Sequence, residues 1–198
     1  MAAMRWFWID RFEEFVRGTR AVAVKNIAAS EEQIEDYNPG FPIMPHSLII
    51  EGMAQTAGLL IGEIDGFQQR VVLAKIGKAV FHSLAVPGDT LRYTATVLEV
   101  SADGAMCSIV GHIGETLVAE VELLFAFLDD RFHSGPLFEP VDFVQVLRAF
   151  AIYDVGRTAD GRPIEPPAYY VEAERIAQAG YAPIPSQVIP SNGFDTKS

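Results

Sequence analysis

The chain has 198 residues, 49% apolar and 21% charged, with a net charge of −11. That length and composition give a well-cored globular protein of one domain, or one domain plus an appendage, and the acidity argues against nucleic acid and anionic membrane surfaces as partners. Cys107 is the only cysteine, which excludes an intrachain disulfide and a cysteine-based metal site and fits a reducing compartment.

At the N-terminus, Trp6-Phe7-Trp8-Ile9 is cut short by Asp10 and Arg11, too brief for a secretory apolar region, so a cytoplasmic protein is expected. The three aromatics there are expected to pack a sheet edge or an interface. Residues 9–17 and the β-branched run 20–28 read as a hairpin turning at Arg17-Gly18-Thr19. Ser30-Glu31-Glu32-Gln33 opens a short polar helical turn that ends near Tyr37.

Next comes a proline-stiffened loop, Pro39-Gly40-Phe41-Pro42-Ile43-Met44-Pro45-His46. Three prolines keep it out of helix and sheet interiors, and Pro45 stands where a helix can start. The helix that follows, over 47–62, has almost no polar face and is expected to be buried nearly all round. It is read as too short to span a membrane. Glu51, one turn in, would be costly in such a helix unless paired or protonated, and such costs gather at working sites. Gln55, one turn further on, is its nearest polar partner.

Asp65-Gly66 stops the helix. Four strands are expected at 71–83, 90–100, 105–113 and 116–127, separated by Pro87-Gly88-Asp89, Asp103-Gly104 and Gly114-Glu115. Two strands, a buried helix and four strands make an α+β fold, an antiparallel sheet wrapped round the helix, with Gly52, Ala54, Ala57, Gly58 and Gly62 allowing close approach. Composition changes near residue 128, beyond which lie eight of the twelve prolines. The division is therefore 1–128 for the sheet domain and 129–198 for a C-terminal extension. In the extension, 140–154 reads as an amphipathic helix stopped by Gly156, and 170–178 as a second capped by Gly180. Residues 183–198 are expected to be extended or disordered. His82, His112 and His133 have no ligand-like spacing, and no metal site or cofactor is expected.

Tyr37 through His46, followed by Leu48-Ile49-Ile50-Glu51-Gly52-Met53-Ala54-Gln55, resembles the loop and helix of FabZ/FabA-type (R)-3-hydroxyacyl-acyl carrier protein dehydratases. So do Lys78-Ala79-Val80-Phe81, Val86-Pro87-Gly88-Asp89 and the strand Val118 to Ala126. The likeness covers about residues 5–128. It implies the hot-dog fold and a hydro-lyase of fatty-acid or polyketide-type biosynthesis, acting on a thioester carried by acyl carrier protein or coenzyme A. It also implies a homodimer, or a higher oligomer of dimers, with the two halves of each site on opposite subunits. By the same likeness Glu51, Tyr37 and His46 occupy catalytic positions, and Pro45, Gln55 and Phe41 line the substrate.

Two positions depart from the family. Tyr37 stands where the family has its catalytic histidine, and a phenol, with an ordinary pKa of about 10, is a poor base at neutral pH. His46 replaces the glycine whose N–H polarises the thioester carbonyl, which keeps the N–H and adds an imidazole able to take the lost role. Three activities are left open: dehydration, acyl-thioester binding without chemistry, and thioester hydrolysis on the same fold. Acyl carrier protein would meet basic residues after Lys-Ala-x-Phe. Here that segment is His82-Ser83-Leu84, leaving Lys75, Lys78, Arg5, Arg11, Arg17 and Arg20 as candidate contacts.

Overall fold

The computed structural model describes residues 6–37, 40–129 and 137–180, the side chains of 35–37 and of 180 excepted. Arg5, His133, the side chain of Tyr37 and the tail 183–198 thus lie outside the described residues. Strand β1 (Arg11–Val16) and β2 (Arg20–Asn26) form the expected hairpin. A short helix α1 (Glu32–Tyr37) precedes the proline loop, and α2 (His46–Gly62) follows it, continuing as a 3₁₀ turn over Glu63–Asp65. Strands β3 (Arg70–Phe81), β4 (Thr90–Val100), β5 (Gly104–Ile113) and β6 (Thr116–Leu128) lie within a residue or two of their expected places. In the extension come α3 (Pro140–Ala149), α4 (Ile152–Val155), β7 (Gly156–Arg157) and α5 (Ala168–Gly180).

One seven-stranded sheet has the order β3-β6-β5-β4-β2-β1-β7. All pairings are antiparallel except β1 with β7. Register shifts at Leu73/Lys75, Ile76/Lys78 and Val97/Glu99 mark bulges in β3 and β4. Bulges increase local twist and bend the strand, which lets a long sheet curl round a helix.

The contact between helix and sheet is very close. A Cβ at Gly52 would fall 2.6 Å from the Trp8 carbonyl oxygen and 2.7 Å from the Tyr93 ring. At Gly58 the nearest atom would be a Phe125 ring carbon at 3.5 Å, an ordinary contact. Of the small residues along α2, Gly52 is therefore required by packing and Gly58 is not.

Three sequence expectations need correction. First, α2 is buried on one side only: Ile49, Gly52, Met53, Thr56, Ala57, Leu60 and Ile61 are inside, whereas Glu51 is exposed and Gln55, Gly58 and Leu59 are half-buried. The deeply buried carboxylate is instead Glu63, 1% exposed, just past the helix end. Arg17 in the hairpin turn donates to both of its oxygens, at 2.7 and 2.5 Å. A bidentate pair of this kind offsets the desolvation of a buried charge, and it raises the Arg17 pKa. Second, with its 3₁₀ turn the helix runs from His46 to Asp65, long and apolar enough to cross a membrane, but 56% of the apolar eighteen-residue window within it is buried inside the protein, as in a core helix. Third, the expected helix 140–154 breaks at Ala151, whose φ of 60° is left-handed, and the chain then adds a short strand to β1.

Two outcomes follow from this packing. Gly52→Ala forces the Trp8 backbone or the Tyr93 ring to move and should lower stability by about 1–3 kcal/mol. Gly58→Ala should hold or slightly raise it; thermal melts of the two variants check the contrast. Burial also pushes the Cys107 thiol up to about 12. The native protein should resist iodoacetamide at pH 8 and react only when unfolded in guanidinium, since the thiolate is the reactive form.

Candidate active site

Residues Glu51, Ala54, Gln55, Gly58, Leu59 and Gly62 recur at three- and four-residue spacing, which puts them on one face of α2. That face borders a cavity of about 960 Å³. Trp6 and Phe7 flank it from the N-terminal segment, Phe67 to Val71 and Leu73 from the approach to β3 and the strand itself, and Phe125 and Leu128 from β6. The remaining wall is Leu137, Phe138, Phe143, Phe150, Tyr169 and Tyr170, all from the extension. The small residues of α2 thus serve two ends: Gly52 admits the sheet and Gly62 the Phe67 ring, while Gly58 leaves room on the cavity face.

Glu51 is held by Gln55. The Gln55 side-chain amide donates to Glu51 Oε1 at 3.0 Å and to the Trp6 carbonyl at 2.7 Å, and its Oε1 accepts the Trp8 amide at 2.9 Å. One side chain therefore fixes the carboxylate and fastens the N-terminal segment beside it. The sequence marked Gln55 as Glu51's neighbour but held no sign that its other bonds reach forty-seven and forty-nine residues back.

Ahead of α2, the Met44 amide bonds the Ala85 carbonyl at 2.8 Å, pinning the proline loop to the β3–β4 connection. Pro45 is buried and caps the helix through its carbonyl, which accepts the amides of Leu48 and Ile49 at 2.9 and 3.1 Å. The amides of His46 and Ser47 lie ahead of these first bonds, where the helix end favours developing negative charge. The His46 ring stacks on Phe81 with centroids 3.9 Å apart, and its Nε2 is buried without a hydrogen-bond partner among the described residues. His46, Pro45 and Phe41 do not line the Glu51 cavity, and Phe41 is exposed. The structure brings together Glu51 and Gln55 from the expected set. Trp6 and Phe7, expected as packing residues, also border the cavity, Phe7 while packing on Phe150.

Among the candidate carrier-protein contacts, Arg11 and Arg20 pair with Glu13 and Glu14, and Arg17 with Glu63. His82 Nε2 lies 3.0 Å from a Glu120 oxygen. Lys75 and Lys78 are exposed on β3, the edge strand of the sheet. Among the described residues no cluster of histidine, cysteine and carboxylate side chains is set to hold a metal ion.

Gln55→Leu removes the bonds that fasten the N-terminal segment. It should cost about 1–2 kcal/mol of stability and speed hydrogen exchange of the Trp8 amide by about ten-fold, read by NMR or mass spectrometry.

Residues 4–122 match the FabA-like domain. Over 119 residues the chain is 40% identical to 3-hydroxyacyl-[acyl-carrier-protein] dehydratase FabZ of Desulforamulus reducens, covering 60% of this chain and 84% of that protein. With the FabZ of Koribacter versatilis it shares 39% over 114 residues, 57% of this chain and 73% of the relative. Among solved structures, a conserved protein from Pseudomonas aeruginosa superposes with a TM-score of 0.51 at 22% identity, over 60% of this chain and 87% of the other. A hypothetical thioesterase protein from Streptococcus pneumoniae, solved with coenzyme A, gives 0.52 at 12% identity, over 64% and 91%. These structural likenesses speak for the fold, an antiparallel sheet curled round one helix. With the motif spacing, the sheet order and the matched domain in agreement, this chain is a member of the FabZ/FabA-like dehydratase family with the hot-dog fold.

Proposed function

We propose that the cavity takes the acyl chain of a thioester and that Glu51 handles the 3-hydroxyl of an (R)-3-hydroxyacyl group, making this chain a 3-hydroxyacyl thioester dehydratase. The observation that carries the proposal is one carboxylate, oriented by Gln55, at the side of an otherwise largely apolar cavity of about 960 Å³. Such a cavity is within the usual size for a small-molecule site, with few polar groups fixing orientation. In the elimination, a base removes the C2 proton, the C2–H electron pair becomes the C2=C3 bond, and the hydroxyl leaves C3 as water with a proton from Glu51, which enters the step as the carboxylic acid and leaves it as the carboxylate. The family likeness gives the thioester oxygen to the His46 amide at the start of α2, which stands outside the Glu51 cavity of its own chain.

The base position falls to Tyr37, which the family likeness sets across a homodimer from Glu51. An edge strand β3 with Leu73 and Ile76 exposed supports association of two copies, because an uncovered apolar edge invites pairing. Lys75 and Lys78 on the same strand are the contacts best placed for an acidic carrier protein, with a coenzyme A thioester as the alternative substrate. The likeness to 3-hydroxyacyl-[acyl-carrier-protein] dehydratases supports a role in fatty-acid or polyketide-type biosynthesis, and a cytoplasmic location belongs to the same proposal.

A second reading, acyl-thioester binding without chemistry, is favoured by the phenol of Tyr37 and by the stacking of His46 on Phe81, away from the Glu51 cavity. Incubation with a crotonyl or 3-hydroxyacyl thioester, followed by enoyl absorbance, separates the two. Dehydration predicts turnover that Glu51→Gln lowers by about 10²-fold or more and that Tyr37→His raises by about 10²–10⁴-fold. Saturable binding with no turnover above the Glu51→Gln control ends the enzyme claim, and activity created only by Tyr37→His establishes the binding module. Release of free thiol instead of enoyl product identifies hydrolysis.

A further inference from the structure

We infer that the C-terminal extension closes the far end of the cavity and sets the length of acyl chain admitted; this rests on the acyl-thioester function proposed above. Glu51 and Gly62 both border the cavity and stand eleven residues apart on α2, about 16 Å at the α-helical rise. An extended chain advances about 1.2 Å per bond, so that distance corresponds to a chain on the order of a dozen bonds. Glu51 marks the reacting end, where Phe150 of the extension packs on Phe7, and Phe138, Phe143, Tyr169 and Tyr170 gather at the other.

At that far end the closure is built rather than incidental. The Phe67 ring stands 5.2 Å from Phe143 and 6.3 Å from Tyr170, and Phe143 stacks on Phe138 at 4.8 Å. The Tyr169 hydroxyl donates to the Gly66 carbonyl at 2.7 Å, tying α5 to the turn that ends α2. Phe67 itself has a φ of 62°, a sparsely populated conformation that persists only where the surroundings over-determine it. Its ring lies over Gly62, where a Cβ would come within 2.9 Å. An aliphatic chain is the occupant this wall fits. It continues the same cavity away from Glu51, and Phe138 and Phe143 give the wall apolar surface. These extension residues also lie beyond residue 122, where the match to the FabA-like domain stops, so the wall is an addition to the shared domain.

The test is calorimetric titration of the full chain with saturated acyl-coenzyme A thioesters from butyryl to palmitoyl, and with the same acyl groups on acyl carrier protein. Affinity should rise about four-fold for each methylene buried and then level off or fall where the chain meets the wall. Phe138→Ala should move that break to longer chains, and Leu137→Trp should move it to shorter ones, each changing the palmitoyl-to-butyryl affinity ratio by about ten-fold or more. Circular dichroism of both variants checks that they are folded. A wild-type break that neither folded variant moves overturns the inference while leaving the proposed function standing. Absence of binding by every member of the series, whether carried by coenzyme A or by acyl carrier protein, overturns the proposed function and this inference together.

Discussion

Everything else in this fold follows from burying one side of an apolar helix inside a curled sheet. α2 carries too little polarity to lie on a surface, and the sheet closes on it only because Gly52 leaves room for the Trp8 carbonyl and the Tyr93 ring. Once that side is fixed, the helical repeat dictates the other. Glu51, Ala54, Gln55, Gly58, Leu59 and Gly62 must share the opposite face, and their mostly small side chains leave space beside the one carboxylate. The candidate site is therefore a consequence of how the core helix is packed.

Polar groups then secure the two ends of that arrangement. Gln55 ties the N-terminal segment to the helix and orients Glu51 in the same act. At the other end, the Arg17–Glu63 pair anchors the helix terminus to the hairpin turn. Glu63 is buried, so the loss of its partner would leave an uncompensated charge in the interior. The extension continues the same logic by adding β7 to β1 and setting its aromatic residues around Phe67. A cavity formed by the small residues of one helix is thereby bounded by a segment more than seventy residues later in the chain.

Most of the local structure was legible in the sequence. Turn residues at Gly18, Gly88, Gly104 and Gly114 bracket the strands, of which β4 and β5 alternate between buried and more exposed positions, and prolines mark the loop before α2. Glu51 and Gln55 stood out because a carboxylate and an amide one turn apart are conspicuous in an apolar helix. Glu63 did not, because an acidic residue at a helix end reads as solvated until Arg17 is known to reach it. The break at Ala151 was hidden because alanine favours helix, and tertiary packing overrode that preference. The aromatic wall was hidden for a related reason: Phe67, Phe138, Phe143 and Tyr170 are joined by contacts with no local signature. The stacking of His46 on Phe81 likewise depends on a strand thirty-five residues away.

The space beside Glu51 and Gln55 is proposed as the place where an acyl thioester reacts, and a crystal structure with a non-hydrolysable 3-hydroxyacyl thioester analogue tests this. The 3-hydroxyl should lie within hydrogen-bond distance of a Glu51 carboxylate oxygen, with the acyl chain running along the Ala54–Gly58–Gly62 face toward Phe67. An analogue bound with its acyl chain outside that cavity, or with its 3-hydroxyl remote from Glu51, would contradict it.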